Sequence, residues 1–167
     1  NQPIIREAIA NSIDRNLISK RVSYGLRKPL RSIVPPSLKS NPKYQPWPSY
    51  SPKRARELFE LAGYCNDKKL NLNLTFRSNV PADKLLALTW QAQLNRDIKD
   101  CISISLDGLE STAVYRQLGD GIFQAVILDW RGAYPDPEAY LSPLLSCSES
   151  KDDICNKGEA AISGSFW

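Results

Sequence analysis

Alternating apolar and polar residues predict two strands in the middle of the chain. Apolar side chains occupy every second position from Leu70 to Phe76 and again from Ile102 to Leu106. A period of two is the spacing of a strand with one buried face. A third segment, residues 123–128, ends in four consecutive apolar residues. That run predicts a strand covered on both faces, in the middle of a parallel sheet.

Apolar residues at helical spacing predict helices before, between and after these strands. The predicted segments are residues 4–22 with a stop at Gly25, 52–62 opened by Ser51 and stopped by Gly63, 81–94 with Leu85, Leu86, Leu88, Ala92 and Leu94 inward, 110–118 stopped by Gly119, and 137–145. Trp90 lies at the edge of its helical stripe and is assigned to packing. Strands that alternate with helices imply right-handed βαβ units. The sequence therefore predicts an α/β fold with a mostly parallel sheet flanked by helices.

Residues 26–50 are rich in proline and show no helical or strand period. The prolines are Pro29, Pro35, Pro36, Pro42, Pro46 and Pro48. A loop this long in a compact domain is either functional or lies as a strap over the surface. We expect a strap, because burial of Tyr44, Trp47 and Tyr50 would anchor it, whereas disordered segments are poor in aromatics. A proline-rich ligand for a separate domain is the alternative.

The composition argues against several classes of function. Lysine and arginine are dispersed and the net charge is +4, which predicts a solvated surface and no nucleic-acid partner. No apolar run approaches the ~20 residues of a membrane helix. The chain has no histidine, so the usual general base, the Ser-His-Asp arrangement and the commonest zinc ligand are missing. We therefore expect no enzyme, no catalytic residue, no cofactor and no metal site.

The two ends of the chain predict a fragment of a longer protein. The sequence starts at Asn1 without a methionine or a signal peptide, and its last residues are the apolar pair Phe166-Trp167. A length of 167 residues suffices for one α/β domain with its own core. We expect a single domain that is monomeric in solution.

Four cysteines indicate the redox compartment. Cys65 lies just ahead of the first predicted strand and Cys101 just ahead of the second. Neighbouring parallel strands are about 4.8 Å apart, which suits the Cα separation of a disulfide. Cys147 and Cys155 flank a short polar loop that a second bond would close. Two such pairs predict an oxidising compartment. The alternative is four free thiols in a cytosolic protein, and no spacing suits zinc.

A turn rich in aromatic and charged residues follows the third strand. Residues 129–137 read Asp-Trp-Arg-Gly-Ala-Tyr-Pro-Asp-Pro. Ligands of open α/β sheets bind outside the carboxyl ends of the strands, so we expect this turn at a ligand cleft. Asp136 is expected to cap the next helix. Trp130 is the strongest ligand-binding candidate, against a role as a core aromatic that caps the sheet. Arg131 and Tyr134 are candidates against simple surface and packing roles.

Motifs in a characteristic order lie in four segments of the chain, which are residues 5–15, 25–36, 50–64 and 130–137. They resemble the "vRqAi…aiDR", "Gly–Pro–vPp", "ydp.kAk.ll.eaGy" and "gW.aDypDP" motifs of the family 5 extracellular solute-binding proteins. These are the oligopeptide-, dipeptide- and nickel-binding components of ABC importers. Each motif alone is weak, whereas their order and spacing together are specific.

The resemblance implies a type II periplasmic-binding-protein-like fold, in which two lobes close over a ligand and present it to ABC permease subunits. Residues 1–167 would form part of the second, C-terminal lobe, with the strap at 26–50 inside it. The ligand would be a peptide or peptide-like solute, and the location periplasmic or otherwise extracytoplasmic, with a signal peptide on the parent protein. Two alternatives remain open: a ligand-sensing lobe fused to a transcription regulator, and a binding protein for an acidic or metal-chelate solute.

The resemblance also shows a departure in the turn. The family aspartate that pairs with the peptide's free amino group is replaced by Ala133, and Asp129 stands where the family has glycine. A charge-assisted hydrogen bond to an ammonium group is worth about 1.5–3 kcal/mol. Either Asp129 supplies this carboxylate from a shifted position, or the ligand has no free amine there. Arg131 could instead favour a carboxylate or phosphate. The candidate ligand-binding residues are Asp129, Trp130, Arg131, Ala133 and Tyr134.

Overall fold

A computed structural model of the chain describes residues 2–38, 43–152 and 154–165. The helices are α1 (Pro3–Asn11), α2 (Arg15–Ser23), α3 (Pro52–Leu61), α4 (Pro81–Asp97), α5 (Ser111–Gln117), α6 (Glu138–Leu145) and α7 (Glu159–Ile162). The strands are β1 (Leu70–Arg77), β2 (Ile102–Leu109), β3 (Ala125–Val126), β4 (Glu149–Lys151) and β5 (Ile154–Lys157). Single turns of 3-10 helix cover Pro36–Leu38 and Leu118–Asp120. The expectations for Pro42, Phe166 and Trp167 concern residues outside the described ranges.

Strands β1, β2 and β3 form a parallel sheet in the order β2-β1-β3. The register of β1 and β2 runs without a break from the pair Leu70–Ile102 to the pair Arg77–Leu109. Helix α4 connects these strands and packs against both. The apolar faces of β1 and β2 meet α3 and α4 in one buried core around Phe59. The predicted α/β fold with a parallel sheet flanked by helices is confirmed.

The prediction that the third strand lies in the middle of the sheet is wrong. Strand β3 has two residues and pairs with β1 only at Leu74 and Thr75, so β1 is the central strand of the three. Residues 125–128 are half-buried rather than buried. Ala125 and Ile127 pack against the core, and this packing explains the apolar run without a second neighbouring strand.

The single helix predicted for residues 4–22 is two helices. Helix α1 ends at Asn11, and the Asp14 carboxylate then accepts from the backbone N–H groups of Asn16 and Leu17, which begins α2. Apolar spacing continues across the junction, but the Asp14 side chain caps a new helix there, and the first helix does not continue. The second helix ends as predicted beside Gly25, with Tyr24 and Gly25 both at positive φ.

The buried face predicted for α4 is partly wrong. Leu85 and Leu88 are 40% and 44% exposed, and Ala92, also predicted to face inward, is exposed as well. Trp90 is buried, in line with its assignment to packing. Gln93 is also buried, and its amide bonds both the N–H and the carbonyl of Asp14. Because α4 has apolar residues on several sides, spacing alone did not identify the face, which is set by docking on the junction between α1 and α2.

The chain after β2 is more elaborate than predicted. Helix α5 is capped by Glu110, and the following 3-10 turn ends at Gly121 at positive φ, not at Gly119. After α6 an antiparallel hairpin, β4–β5, and the short helix α7 were not predicted. Among the described residues, the buried cluster of this segment contains Cys155, Ala160 and Ala161, with Cys147 packed against it. These are small side chains, which give little periodic signal.

Both predicted cysteine pairs are disulfide-bonded. The Cys65–Cys101 bond joins the chain just ahead of β1 to the chain just ahead of β2. The Cys147–Cys155 bond closes the hairpin segment. The described residues contain no free cysteine.

The strap of residues 26–50 is held by some of the aromatics predicted to anchor it. The Arg31 backbone and side chain both bond the backbone of Trp47, whose ring lies 5.9 Å from the Arg15 guanidinium carbon. Tyr50 donates its hydroxyl hydrogen to Asp97 on α4. Tyr44 differs from the expectation, because it is 63% exposed. No helix in the described ranges is long and apolar enough to span a membrane.

Candidate functional site

The candidate site lies at the carboxyl ends of β1 and β3, where the turn of residues 129–137 leaves the sheet. Arg77 is the last residue of β1, and the Ile127 N–H bonds Thr75 to continue the β3 pairing toward Asp129. The parallel direction of these strands brings Arg77 and Asp129 together at one edge of the sheet. This position is where open α/β sheets bind ligands.

The buried side chain of Arg77 is the centre of a hydrogen-bond cluster. Its Nε and Nη2 atoms donate to the two carboxylate oxygens of Asp83, at 2.6 and 3.0 Å, in a bidentate ion pair. Its Nη1 atom donates to Asp129 Oδ1 and to the Tyr115 hydroxyl, the latter at 2.8 Å. The hydrogen bonds that Arg77 donates to Asp83 raise the pKa of Arg77 above its ordinary value, against the opposing effect of burial. The guanidinium is therefore a permanent cation that fixes two carboxylates.

Asp129 combines a fixed oxygen with an accessible one. Its Oδ1 atom accepts from Arg77 and from the Tyr115 hydroxyl at 3.2 Å, while its side chain is 50% exposed. Its Oδ2 atom lies 3.9 Å from the Arg131 Nε. Partial burial raises the pKa of Asp129, but the hydrogen bond and charge of Arg77 outweigh it and hold the pKa below its usual value. The group is thus an ordered carboxylate that stays ionised at neutral pH.

The other predicted site residues of the turn differ in exposure. Trp130 is 43% exposed and donates its Nε1 hydrogen to the Ala139 carbonyl at 2.9 Å, so it is neither a core aromatic nor a free ring. Arg131 is 90% exposed and Tyr134 is 51% exposed. Ala133 is exposed and presents a methyl group where the resemblance predicted a carboxylate.

The turn approaches α6 closely at Gly132. A Cβ atom there would lie 2.7 Å from the Tyr140 ring and 3.2 Å from the Ala139 Cβ. The Asp136 carboxylate accepts from the Glu138 N–H at 2.8 Å, so it bonds the first turn of α6 as expected, although Pro137 and not Asp136 occupies the N-cap position. The absence of a side chain at Gly132 and the Asp136 hydrogen bond together hold the turn against α6.

A cavity of about 590 Å³ lies between the strap and α6. Its mainly apolar lining includes Val34, Leu38, Trp47, Pro137, Leu141 and Leu145. None of the five predicted ligand-binding residues lines it. Of these two places, the turn is the better candidate for ligand recognition, because it combines ordered charges with half-exposed aromatic rings.

Sequence reasoning missed the residues that organise the site. Arg77, Asp83 and Tyr115 were not predicted, although Arg77 stands at the end of an otherwise alternating strand, on the same sheet edge as the turn. A charged residue at that position is the signal that could have identified it. The described residues contain no group of side chains suited to hold a metal ion.

Two further carboxylates away from the turn are held by arginines. The hydrogen bonds from Arg96 hold the pKa of Asp97 below its ordinary value, and those from Arg56 do the same for Asp100. The Arg56–Asp100 contact is bidentate, with distances of 2.7 and 2.6 Å, and it links α3 to the segment before β2. Ionisation of these carboxylates therefore favours the folded state.

We expect the stability of the protein to be nearly flat from about pH 5 to 8 and to fall below about pH 4. Carboxyl groups with a lowered pKa stabilise the folded state above their unfolded value of about 3.9, and this stabilisation is lost as the pH falls through the folded value. The three such aspartates are Asp97, Asp100 and Asp129. The absence of histidine removes the usual titration near pH 6.5. Urea unfolding midpoints between pH 2 and 8 measure this, and a midpoint that rises from pH 5 to 3 would contradict it.

A curated relative supports the assignment that this geometry suggests. The glutathione-binding protein GsiB of Salmonella choleraesuis is 30% identical over 150 residues, which cover 87% of this chain and 28% of GsiB. The chain thus spans less than a third of the length of the relatives that it matches. These relatives are solute-binding proteins and not enzymes, which agrees with the expectation from composition that this chain is not an enzyme.

Two solved structures share the fold. Haemophilus influenzae OppA, in complex with the peptide RPPGFSPFR, superposes with a TM-score of 0.79 at 19% identity, over 98% of this chain and 31% of OppA. NikA from Brucella suis, in complex with Fe(III)-EDTA, superposes with a TM-score of 0.75 at 21% identity, over 96% of this chain and 32% of NikA. The predicted periplasmic-binding-protein-like fold is confirmed by these superpositions.

The family model named "Bacterial extracellular solute-binding proteins, family 5 Middle" matches residues 1–152. That range contains the parallel sheet, the Arg77 cluster and the whole turn of residues 129–137. The chain therefore belongs to the family 5 bacterial extracellular solute-binding proteins.

Proposed function

We propose that this chain forms part of the second, C-terminal lobe of the substrate-binding component of an ABC importer, and that the parent protein captures peptides or peptide-like solutes. The observation that carries the proposal is the carboxylate of Asp129, which Arg77 and Tyr115 hold in place with one oxygen accessible. An ordered, ionised carboxylate in a half-exposed aromatic turn is a receptor for the ammonium group of a peptide.

Charge-assisted recognition at this place needs little reorganisation of the protein. Asp129 is already oriented by its two hydrogen bonds, and Trp130 is anchored on α6 through its Nε1 hydrogen. A preordered site binds without the cost of fixing loose side chains. Closure of the first lobe over the turn would then exclude water and strengthen the ion pair. Backbone hydrogen bonds and water-filled pockets would accept the varied side chains of peptides.

The two disulfides and the family assignment support an extracytoplasmic location for the parent protein. Disulfides persist in the bacterial periplasm and on cell surfaces and are rare in the cytosol. This argues against a ligand-sensing lobe of a cytosolic transcription regulator. The partners of the parent protein would be ABC permease subunits in the membrane, with the binding protein itself a monomer.

The ligands named for its relatives agree with a peptide-like solute. GsiB is a glutathione-binding protein, and the OppA structure holds a nine-residue peptide. The Fe(III)-EDTA complex of NikA represents the competing class of acidic chelates. Arg131, with its exposed guanidinium, is the feature of this chain that would favour such an anion.

Native mass spectrometry of the full-length protein that carries this sequence, purified gently from its own host, tests the proposal. Peptide masses among the released ligands, fragmenting as amino-acid chains, are the expected result. The Asp129→Asn variant should then retain far less of this ligand, because it loses the ionised acceptor. A single acidic or metal-chelate mass would overturn the peptide assignment, whereas peptide retention equal to wild type in the variant would overturn the role proposed for Asp129.

A further inference from the structure

We infer that the turn at the end of α2 is a contact site for a bilayer surface that contains anionic phospholipid. This turn, residues 20–28, is called the basic tip. Two apolar side chains, Tyr24 and Leu26, lie in it between two pairs of cations, Lys20 with Arg21 and Arg27 with Lys28. Such a contact goes beyond the proposed function, because it would hold the parent protein near the membrane whatever solute the protein binds.

Acidic residues are missing from a long stretch of sequence around the basic tip. Residues 15–56 contain eleven of the 22 lysines and arginines of the chain and none of its 18 aspartates and glutamates. The rest of the chain therefore carries an excess of negative charge, although the net charge of the whole is only +4. Lysine and arginine are dispersed, but the net charge is not. A charge asymmetry of this kind indicates contact with an anionic surface.

The four cations of the basic tip are available to an outside partner, whereas others in the same stretch are engaged. Arg15 donates to the Pro48 carbonyl, and Arg56 forms its bidentate pair with Asp100. Within the described ranges the tip cations are exposed and form no ion pair. A protein segment that covered the tip would bury these charges or have to supply carboxylates, and burial of unpaired cations is costly. An anionic surface neutralises them at the water boundary.

The apolar side chains of the basic tip project into solvent. Tyr24 is 93% exposed and Leu26 is 86% exposed, the two highest values among the large apolar side chains of the described residues. Proteins that bind the lipid–water interface combine apolar side chains, which enter between the headgroups, with lysines and arginines that reach the phosphates. Tyrosine suits this boundary, because its ring is apolar and its hydroxyl group is polar.

Hydrogen bonds hold the basic tip in one shape. The Leu26 N–H donates to the Ser23 carbonyl at 2.9 Å, and the Arg27 N–H donates to the Ser23 hydroxyl at 3.0 Å. The Ser19 hydroxyl donates to the Arg27 carbonyl. Tyr24 has a φ of 53°, a left-handed conformation that bulky residues rarely adopt. The turn is therefore ordered before any contact, and a preordered surface binds without the cost of fixing loose side chains.

A bilayer fits the basic tip better than a folded protein partner does. A stable protein–protein interface buries about 800 Å² on each partner, and lysine is depleted in it. The tip is a single turn with two apolar side chains. A bilayer has diffuse charge and needs no matched pocket, and each lysine or arginine near it strengthens binding by about fivefold. A reversible contact of this strength would keep the parent protein close to membrane-embedded permease subunits.

Sedimentation of the full-length protein, prepared without lipid modification, with phospholipid vesicles tests this inference. One set of vesicles contains phosphatidylglycerol and phosphatidylcholine in equal parts, and the neutral reference contains phosphatidylcholine alone. We expect at least about tenfold stronger binding to the anionic vesicles. This binding should fall by about tenfold between about 0.15 and 1 M salt, because the screening length shortens from about 8 to about 3 Å. Equal binding to both vesicles, or none to the anionic ones at about 0.15 M salt, overturns the inference.

Two double variants separate the contribution of the cations from that of the apolar side chains. Lys20→Gln with Arg21→Gln should weaken binding to the anionic vesicles by about tenfold or more, since each cation contributes about fivefold. Tyr24→Asn with Leu26→Ser keeps every cation and should weaken binding by about fivefold or more, through loss of the apolar contact with lipid. Asparagine also tolerates the left-handed backbone at position 24. Wild-type binding by either variant overturns the corresponding contact.

The matched control is Lys84→Gln with Arg116→Gln, which removes two exposed cations from α4 and α5. It should bind the anionic vesicles within about twofold of wild type. A control as weak as Lys20→Gln with Arg21→Gln would show that overall charge drives binding, and would overturn the assignment to the basic tip. Binding only to vesicles that contain the permease subunits would also overturn it, with a protein as the partner. Ligand retention should be unchanged in every variant, so failure at the tip leaves the proposed function standing.

Discussion

Replacing Cys65 and Cys101 with alanine is expected to lower the free energy of unfolding of the region around β1 and β2 by about 4 kcal/mol. The bond closes a loop with a sequence separation of 36 residues, and the loop-closure relation gives about this value for the lost constraint on the unfolded chain. The loop contains β1 and α4, and its base is reinforced by the Leu70 N–H bond to the Cys101 carbonyl at 2.9 Å. The bond thus joins the starts of the two parallel strands, β1 and β2, that α4 connects.

Hydrogen exchange of the full-length protein, read by mass spectrometry on peptides from β1 and β2, measures this loss locally. The matched control replaces Cys147 and Cys155 with alanine. Their sequence separation is 8, for which the same relation gives about 2.5 kcal/mol. We expect this smaller effect to appear in the β4–β5 hairpin and to leave β1 protected. A loss below about 1 kcal/mol around β1 in the first variant, or a larger loss in the control, would contradict the loop-length argument.

The sheet was predictable because its strands carry local patterns that the packing uses directly. The alternation from Leu70 to Phe76 and from Ile102 to Leu106 matches the buried faces of β1 and β2, and Ser51 begins α3 as expected. The cysteine pairing followed from the parallel neighbours that these patterns imply. Each of these features depends on residues close in sequence or on one strand pairing.

Other features depend on contacts between distant residues, which periodicity does not report. The break between α1 and α2 is fixed by the Asp14 cap and by Gln93, 79 residues later. The exposure of Leu85 and Leu88 follows from the same docking of α4. An apolar helix offers several faces to a core, and the polar contacts at its ends select one of them.

The candidate turn was located from sequence, but its chemistry was not. The resemblance left open whether Asp129 replaces the missing family carboxylate at Ala133. In the structure, Arg77 and Tyr115 orient the Asp129 carboxylate, and half of the Asp129 side chain remains exposed. Both observations favour Asp129 as the replacement. Arg77 and Asp129 are 52 residues apart, so only the parallel pairing of β1 and β3 brings them together.

We expect Arg77→Met to destabilise the protein by about 3–5 kcal/mol, the usual cost of removing one partner from a buried ion pair. The side chains of Arg77 and Asp83 are 8% and 9% exposed, so the variant leaves the Asp83 carboxylate buried without its cation. It also removes the Arg77 hydrogen bond to Asp129 Oδ1 and leaves the one from Tyr115, so ligand affinity should fall with stability. Urea unfolding of the full-length protein and calorimetric titration with its ligand measure the two losses.

A double variant separates the buried charge from simple loss of packing. Adding Asp83→Leu to Arg77→Met removes both charges, and we expect it to recover part of the lost stability, because no unpaired charge then remains buried. Ligand affinity should stay low, since Asp129 is still without Arg77. The matched control Arg96→Met alters an arginine that is 58% exposed and should cost less than about 1 kcal/mol. A double variant as unstable as the sum of its single variants would show that the Arg77–Asp83 pair is not coupled, and that packing of the arginine stem accounts for its effect.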